Sequence, residues 1–146
     1  WVVVGSTEAT SRMLDVAPSA PGVFVYYRVF AINSVGMGTT ASINGVRMPY
    51  VAPAAVGAPS VTNNVTNTVQ RIQISWSAAS NFGGSTLAYY SLQVSTDGIN
   101  WVTWANTTAL TWSANRPAAG TTLKYRVVTV SSVGMTSASA VTTVTH

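Results

Sequence analysis

Hydrophobic and polar residues alternate along most of the second half of the chain. Residues 71–77 read RIQISWS and residues 89–95 read YYSLQVS, with apolar side chains at every second position. A period of two is typical of a half-buried strand. Further strands are predicted at residues 101–104, 109–113, 122–130 and 136–145. Because no stretch shows helical periodicity with caps, the pattern predicts an all-β chain.

Turn-forming residues separate these predicted strands. Asp97-Gly98 predicts a hairpin, because glycine tolerates the positive φ that such turns require. Residues 117–120 predict a second turn, and Gly134 ends the strand before it. About seven short strands with turn signals roughly every 8–12 residues predict an antiparallel β-sandwich.

Part of this pattern occurs twice. Residues 27–37 read YRVFAINSVGM and residues 125–135 read YRVVTVSSVGM, identical at seven of eleven positions at an offset of 98. Trp1-Val2 matches Trp101-Val102 upstream of these segments. A fixed period of this length indicates a repeated structural unit, so we expect the same module in two copies.

The two copies differ in extent. The first begins in its middle, so we expect residues 1–48 to form the C-terminal half of a domain and residues 59–146 a whole one. Between them, residues 49–58 are rich in Pro and Ala and predict a short, stiff linker. Half a domain would expose half a core, so either the chain is part of a longer protein or a neighbouring subunit completes it. The first explanation is favoured, because completion would need three donated strands that this chain does not hold in spare form.

The same segments resemble the fibronectin type III family over nearly the whole chain. The resemblance rests on Trp76, on YSLQVSTDG at residues 90–98 followed by Trp101, and on the YRV motifs beginning at Tyr27 and Tyr125. It implies an immunoglobulin-like sandwich of two antiparallel sheets with Greek-key topology, in tandem copies of the kind found in bacterial or phage proteins.

Composition narrows the classes of function. Charged residues make up only 7% of the chain, against about 25% in an ordinary globular domain. The seven Lys and Arg are scattered singly, which argues against nucleic-acid binding despite the net charge of +4. No apolar run approaches the roughly 18 residues of a membrane span, so we expect no membrane insertion. With so little charge, part of the surface is expected to be covered in an assembly.

Side chains that carry catalysis or hold metals are scarce. From residue 59 onward the one acid is Asp97, in a predicted turn, and the one histidine is His146, which we expect to be mobile. Glycoside hydrolysis usually needs two carboxylates, and a serine nucleophile needs a nearby base. Zinc and calcium sites need clustered ligands. We therefore expect no catalytic residue, no metal and no cofactor.

Trp104 and Trp112 are the candidates for stacking on sugar rings. We expect Trp76 and Trp101 to lie in the core, and Trp104 and Trp112 to lie on neighbouring strands and pair across the sheet. Packing is favoured over carbohydrate binding, and polysaccharide stays an open alternative.

Alternation also places apolar side chains on an outward face. Alternate residues of the strand at residues 122–130 face the core, so Val128 and Val130, which lie between them, face outward. Phe30 and Ile32 are the corresponding residues of the first copy. Exposed apolar patches mark interaction surfaces, although single exposed hydrophobic residues are common. Because both copies share the row, we favour a protein interface.

These observations predict a non-catalytic structural or adhesive spacer module of an extracellular surface protein, filament or phage tail appendage. It would act by packing against itself or against neighbouring domains of the same protein. The alternative is a carbohydrate-binding accessory module of a secreted polysaccharide-degrading enzyme.

Overall fold

The computed structural model describes residues 1–10, 13, 19–65 and 70–146, and internal contacts divide the chain into two units, Trp1–Met48 and Pro49–His146. Within these described ranges every regular element is a β-strand. The strands of the first unit are β1 (Phe24–Val25), β2 (Arg28–Asn33), β3 (Gly36–Ser42) and β4 (Val46–Arg47). Those of the second unit are β5 (Ser60–Val65), β6 (Gln70–Ser75), β7 (Leu87–Ser95), β8 (Val102–Thr107), β9 (Thr111–Asn115), β10 (Thr122–Ser131), β11 (Thr136–Ala138) and β12 (Thr142–Thr145).

The second unit is a sandwich of two antiparallel sheets. One sheet has the strand order β5-β6-β9, and the other has the order β8-β7-β10. Both β11 and β12 pair with the remaining edge of β10, each along a different part of that strand. The chain changes sheet after β6, β8 and β9, which produces the crossed connections of a Greek key. The all-β sandwich predicted from the alternation is confirmed.

The core lies between the two sheets and follows the period of two. Its fully buried apolar side chains come from alternate positions of the central strands: Ile72, Ile74, Tyr90, Leu92, Tyr125 and Val127. Trp76 directly follows β6 and packs edge-on against Tyr90, with ring centroids 6.0 Å apart. The Tyr90 hydroxyl also accepts a hydrogen bond from the backbone N–H of Ala79 at 3.1 Å. Burial of this set is what holds the sheets together.

Three predicted strands differ from the structure more than the others do. Residues 101–104 and 109–113 correspond to β8 and β9, which each extend further along the chain. The strand predicted at 136–145 divides into β11 and β12, because Ser139 interrupts the ladder. Its hydroxyl accepts from the backbone N–H of Val127 at 3.0 Å and donates to the carbonyl oxygen of Ala140 at 2.7 Å.

The Pro/Ala-rich segment lies against the second unit. The backbone N–H of Val51 donates to the carbonyl oxygen of Gly83 at 3.1 Å, and the backbone N–H of Ala54 donates to the backbone carbonyl oxygen of Asn81 at 3.1 Å. Val56 belongs to the hydrophobic core. Residues 49–58, predicted as a linker, are therefore held along the loop that joins β6 to β7.

The first unit repeats the register of the last hairpin of the second. In the first unit the pairs are Phe24–Arg47, Val25–Val46 and Phe30–Thr40. The corresponding pairs of the second unit are Thr122–Thr145, Leu123–Val144 and Val128–Ala138. Each of these pairs corresponds at the offset of 98 on both strands. The correspondence ends at Ile32, which pairs with Met37 after a register shift, whereas Val130 pairs with Thr136. In both turns the side chain at the corresponding position accepts a backbone N–H, although from different positions: Asn33 accepts from Gly36 at 3.1 Å, and Ser131 accepts from Met135, one position further along, at 3.1 Å.

Candidate functional site

The outward valines of β10 lie where alternation predicts them. Val128 stands between Ser91 of β7 and Ala138 of β11, and Val130 stands opposite Tyr89. These neighbours leave both valines half-buried rather than fully exposed. Tyr89 lies beside them and is exposed. These three side chains make one end of the outer sheet face apolar.

Phe30 and Ile32 occupy the corresponding face of β2 in the first unit. Phe30 is half-buried, and Ile32 is 73% exposed. Val29, on the opposite face of the same strand, is 69% exposed. Exposure alone therefore does not single out the outer face in this unit. That these four residues form an interface remains a prediction.

At the other end of the outer face, a charged side chain stacks on an aromatic ring. The guanidinium carbon of Arg126 lies 4.1 Å from the ring centroid of Trp101, close enough for a cation–π contact. The Arg126 Nε–H donates to the Gln93 side chain at 2.8 Å. The prediction that Trp101 lies in the core is wrong. Because Val102 pairs with Val94, whose side chain packs on the core, the preceding Trp101 faces outward.

Asp97 organises the turn before Trp101. Its carboxylate accepts the backbone N–H groups of Ile99 and Asn100 at 2.8 Å, the Asn100 amide at 2.7 Å and the Ser95 hydroxyl at 2.8 Å. These bonds hold the pKa of Asp97 well below its usual range, and the bond from the Ile99 N–H contributes most. Gly98 follows with a φ of 84°, as the predicted hairpin requires. The Asp97 carboxylate is therefore a turn-forming group.

His146 is not mobile, contrary to the expectation from its position in the sequence. It is buried, and its Nε2 lies 2.7 Å from the Tyr125 hydroxyl, while its Nδ1 lies 3.3 Å from the Asn63 side-chain oxygen. An amide oxygen can only accept, so Nδ1–H donates to Asn63; in the neutral ring, Nε2 then accepts from the Tyr125 hydroxyl. Burial, and then the positive charge of Arg116, lower the pKa of His146, and burial raises the pKa of Tyr125 to about 12.

We expect the stability of the second unit to fall as the pH is lowered from 7 to 5. The unfolded chain takes up a proton on His146 near its ordinary pKa of about 6.5, whereas the folded chain resists it, so protonation favours unfolding. Urea unfolding at the two pH values measures the difference. His146 is the one histidine of the chain, so the His146→Gln variant should lose this dependence. Equal stability of the wild type at both pH values would contradict the assignment.

Trp104 and Trp112 do not pair across a sheet as predicted. Trp104 lies on β8 and Trp112 on β9, and these strands belong to opposite sheets because the chain crosses over between them. The Trp104 ring packs on the core residue Tyr125, with centroids 6.0 Å apart, and Trp112 pairs with Ile74. The rings are 37% and 38% exposed. That the two rings stack on sugars remains a prediction.

Other chemistry is sparse in the part of the chain that the structure describes. No three His, Cys, Asp or Glu side chains there come together as a metal site would require. Among the same residues, no helix is long and apolar enough to cross a membrane.

Solved structures share this architecture. No protein-family model and no curated protein matches the chain. Domains d3–d4 of the rat CD45 extracellular region match with a TM-score of 0.67 at 13% identity, covering 97% of this chain and 74% of that one. The sixth fibronectin type III domain of human fibronectin type III domain containing protein 3 matches with a TM-score of 0.55 at 20% identity, covering 65% and 86%.

The fold is fibronectin type III-like. Domains A168–A170 of titin match as well, with a TM-score of 0.56 at 16% identity, covering 82% of this chain and 40% of that one. At these identities the likeness concerns the fold alone. The fibronectin type III-like fold agrees with the sheet orders found in the second unit, where β8-β7-β10 faces β5-β6-β9.

Proposed function

We propose that this chain is a non-catalytic structural or adhesive module whose outer sheet face packs against another copy or a neighbouring domain of the same protein. The observation that carries the proposal is the outer apolar row. Val128 and Val130 on β10 and Phe30 and Ile32 on β2 occupy corresponding positions in the sequence at the 98-residue offset, and the pairing of Phe30 with Thr40 corresponds to that of Val128 with Ala138. Two units that share such a row are suited to a repeated contact.

The distribution of charge supports packing on this face. Its charged groups, Arg126 and Lys124, lie towards the Asp97 turn, where Lys124 donates to the Asp97 carbonyl oxygen at 2.9 Å. The end at Tyr89, Val128 and Val130 carries no charged side chain in these strand positions. A fully desolvated interface centre is typically depleted of charge, with polar groups at its rim. The outer face has this arrangement.

An extracellular setting belongs to the same proposal. The matching domains of rat CD45 come from the extracellular region of that protein. The composition, with 7% charged residues, suits a chain whose surface is partly covered by neighbours. A surface protein, filament or phage appendage would supply such neighbours.

The test is the Val128→Lys variant of the full-length protein, compared with the wild type by sedimentation velocity over a concentration series. A lysine placed in the packed centre would have to lose its hydration, so we expect association to weaken by about tenfold or more, equivalent to about 1.4 kcal/mol. Val133→Lys is the control, because Val133 lies in the turn after β10 and is already 43% exposed. If Val128→Lys leaves the assembly unchanged, or Val133→Lys weakens it equally, the proposal is wrong.

A further inference from the structure

Three aromatic side chains of the second unit form a continuous series of contacts from the surface to the core. The Trp104 and Tyr125 ring centroids lie 6.0 Å apart, and the Tyr125 and His146 ring centroids also lie 6.0 Å apart. Trp104 is partly exposed, whereas Tyr125 and His146 are buried. Solvent therefore reaches this series of rings mainly at Trp104.

A bulge in β8 brings Trp104 into contact with Tyr125. Ala105 and Thr103 pair with successive residues of β7, and Trp104 is the extra residue between them. A bulge re-aims a side chain out of the strict alternation of a strand. The Trp104 ring thereby packs on Tyr125 of β10 from the core side of the sheet.

The phenol of Tyr125 has a base within hydrogen-bond distance. Its hydroxyl oxygen lies 2.7 Å from Nε2 of His146, and the bond from Nδ1–H to Asn63 leaves the lone pair of the neutral ring on Nε2. Burial disfavours the phenolate and raises the pKa of Tyr125 to about 12, so the resting phenol keeps its proton. A phenol that loses an electron becomes a strong acid, and Nε2 is placed to receive the proton that it releases.

We propose that Trp104, Tyr125 and His146 form a redox relay, which accepts the oxidising equivalent of a one-electron oxidant in solution. The oxidant takes one electron from the Trp104 indole and is itself reduced. One electron then passes from Tyr125 to the indole radical cation, and the phenol proton moves to Nε2 of His146. The products are a restored indole, a neutral tyrosyl radical and an imidazolium, so electrons, protons and charge balance. Because Tyr125 is fully buried, its radical is shielded from coupling with another chain.

Flash photolysis of the full-length protein tests the relay, at mildly alkaline pH where the His146 ring is neutral. The oxidant is tris(bipyridine)ruthenium(III), generated in solution by the laser flash. We expect tryptophanyl absorption to decay as tyrosyl absorption rises. Trp104→Phe should remove this tyrosyl component. Trp112→Phe should keep it, because Trp112 is equally exposed but lies on the opposite sheet, beside Ile74.

Two conservative tyrosine variants locate the radical. Tyr125→Phe should lose the tyrosyl component that depends on Trp104. Tyr90→Phe is the matched control and should keep it. Tyr90 also packs on a tryptophan ring at 6.0 Å, but that ring, Trp76, is buried, and the Tyr90 hydroxyl accepts from the N–H of Ala79.

The proton step has its own readouts. His146→Gln removes the imidazole base, so the tyrosyl component should rise more slowly than in the wild type. In the wild type the rise should also slow in D₂O, because the O–H bond of Tyr125 breaks as the electron leaves.

Four results would overturn the proposal. Trp112→Phe removes the tyrosyl component as fully as Trp104→Phe does, Tyr125→Phe leaves it unchanged, His146→Gln does not slow its rise, or the wild-type rate is the same in D₂O. The last comparison needs no substitution, so it decides the matter even where a variant disturbs the fold. None of these results bears on Val128, so the relay and the packing of the outer face fail separately.

Discussion

Replacing Tyr90 by alanine is expected to destabilise the second unit by about 3–5 kcal/mol, the range for removing a buried aromatic side chain. Tyr90 is 1% exposed, packs on Trp76 and lies between the two sheets. Its loss would leave a cavity where both sheets contribute side chains, and it would leave the Ala79 N–H without its acceptor. Since a domain is stable by only about 5–15 kcal/mol, a large part of the folding free energy would be lost. Urea unfolding followed by tryptophan fluorescence measures the change.

Two matched variants separate the contributions of the ring and the hydroxyl. Tyr90→Phe keeps the ring and loses the bond to Ala79, so we expect a loss of about 1 kcal/mol. Tyr89→Ala removes the same side chain one position along β7, on the outer face, where 37% of it is exposed. If Tyr89→Ala costs as much as Tyr90→Ala, the assignment of inner and outer faces in β7 is wrong.

Replacing Gly83 by alanine is the second substitution with a large expected effect. Gly83 has a φ of 66°, in the left-handed region that costs a non-glycine residue about 1–2 kcal/mol. A Cβ atom there would also overlap the carbonyl group of Val51, which is backbone and cannot rotate away. We expect segment 49–58 to be displaced from the 81–83 loop, and the unfolding free energy to fall by more than the conformational cost alone.

Gly120→Ala is the matched control for that experiment. Gly120 has a φ of 83°, and an added Cβ would meet nothing within 4 Å among the described residues. It should therefore show the conformational cost only. The difference between the losses of unfolding free energy in the two variants measures how tightly segment 49–58 is held. Equal losses would contradict the packing of this segment against the second unit.

Local alternation was sufficient to predict which side of most strands faces the core. Ile72, Ile74, Tyr90 and Leu92 are buried as their period of two predicts, because each strand presents one face to the opposite sheet. The β5 strand was not predicted from alternation, since its sequence SVTNNV carries few apolar residues. Its place in the sheet depends on its pairing with β6.

What the sequence could not supply is the partner of each strand. Trp104 and Trp112 lie a few residues apart, but the crossover between β8 and β9 sends them to opposite sheets, and no local pattern records that change. Trp101 faces outward because of the register between β8 and β7, which is again a long-range property. The burial of His146 depends on Tyr125 and Asn63, both distant along the chain.

The most direct test of the proposed function is photo-cross-linking of the full-length protein in its native setting. A photoreactive phenylalanine analogue would replace Val128 in one preparation and Val133 in another, and the products would be identified by mass spectrometry. The proposed packing of the outer face predicts cross-links from position 128 to another copy or another domain of the same protein, and few from position 133. Cross-links from position 128 to polysaccharide, or none above the level at position 133, would contradict it.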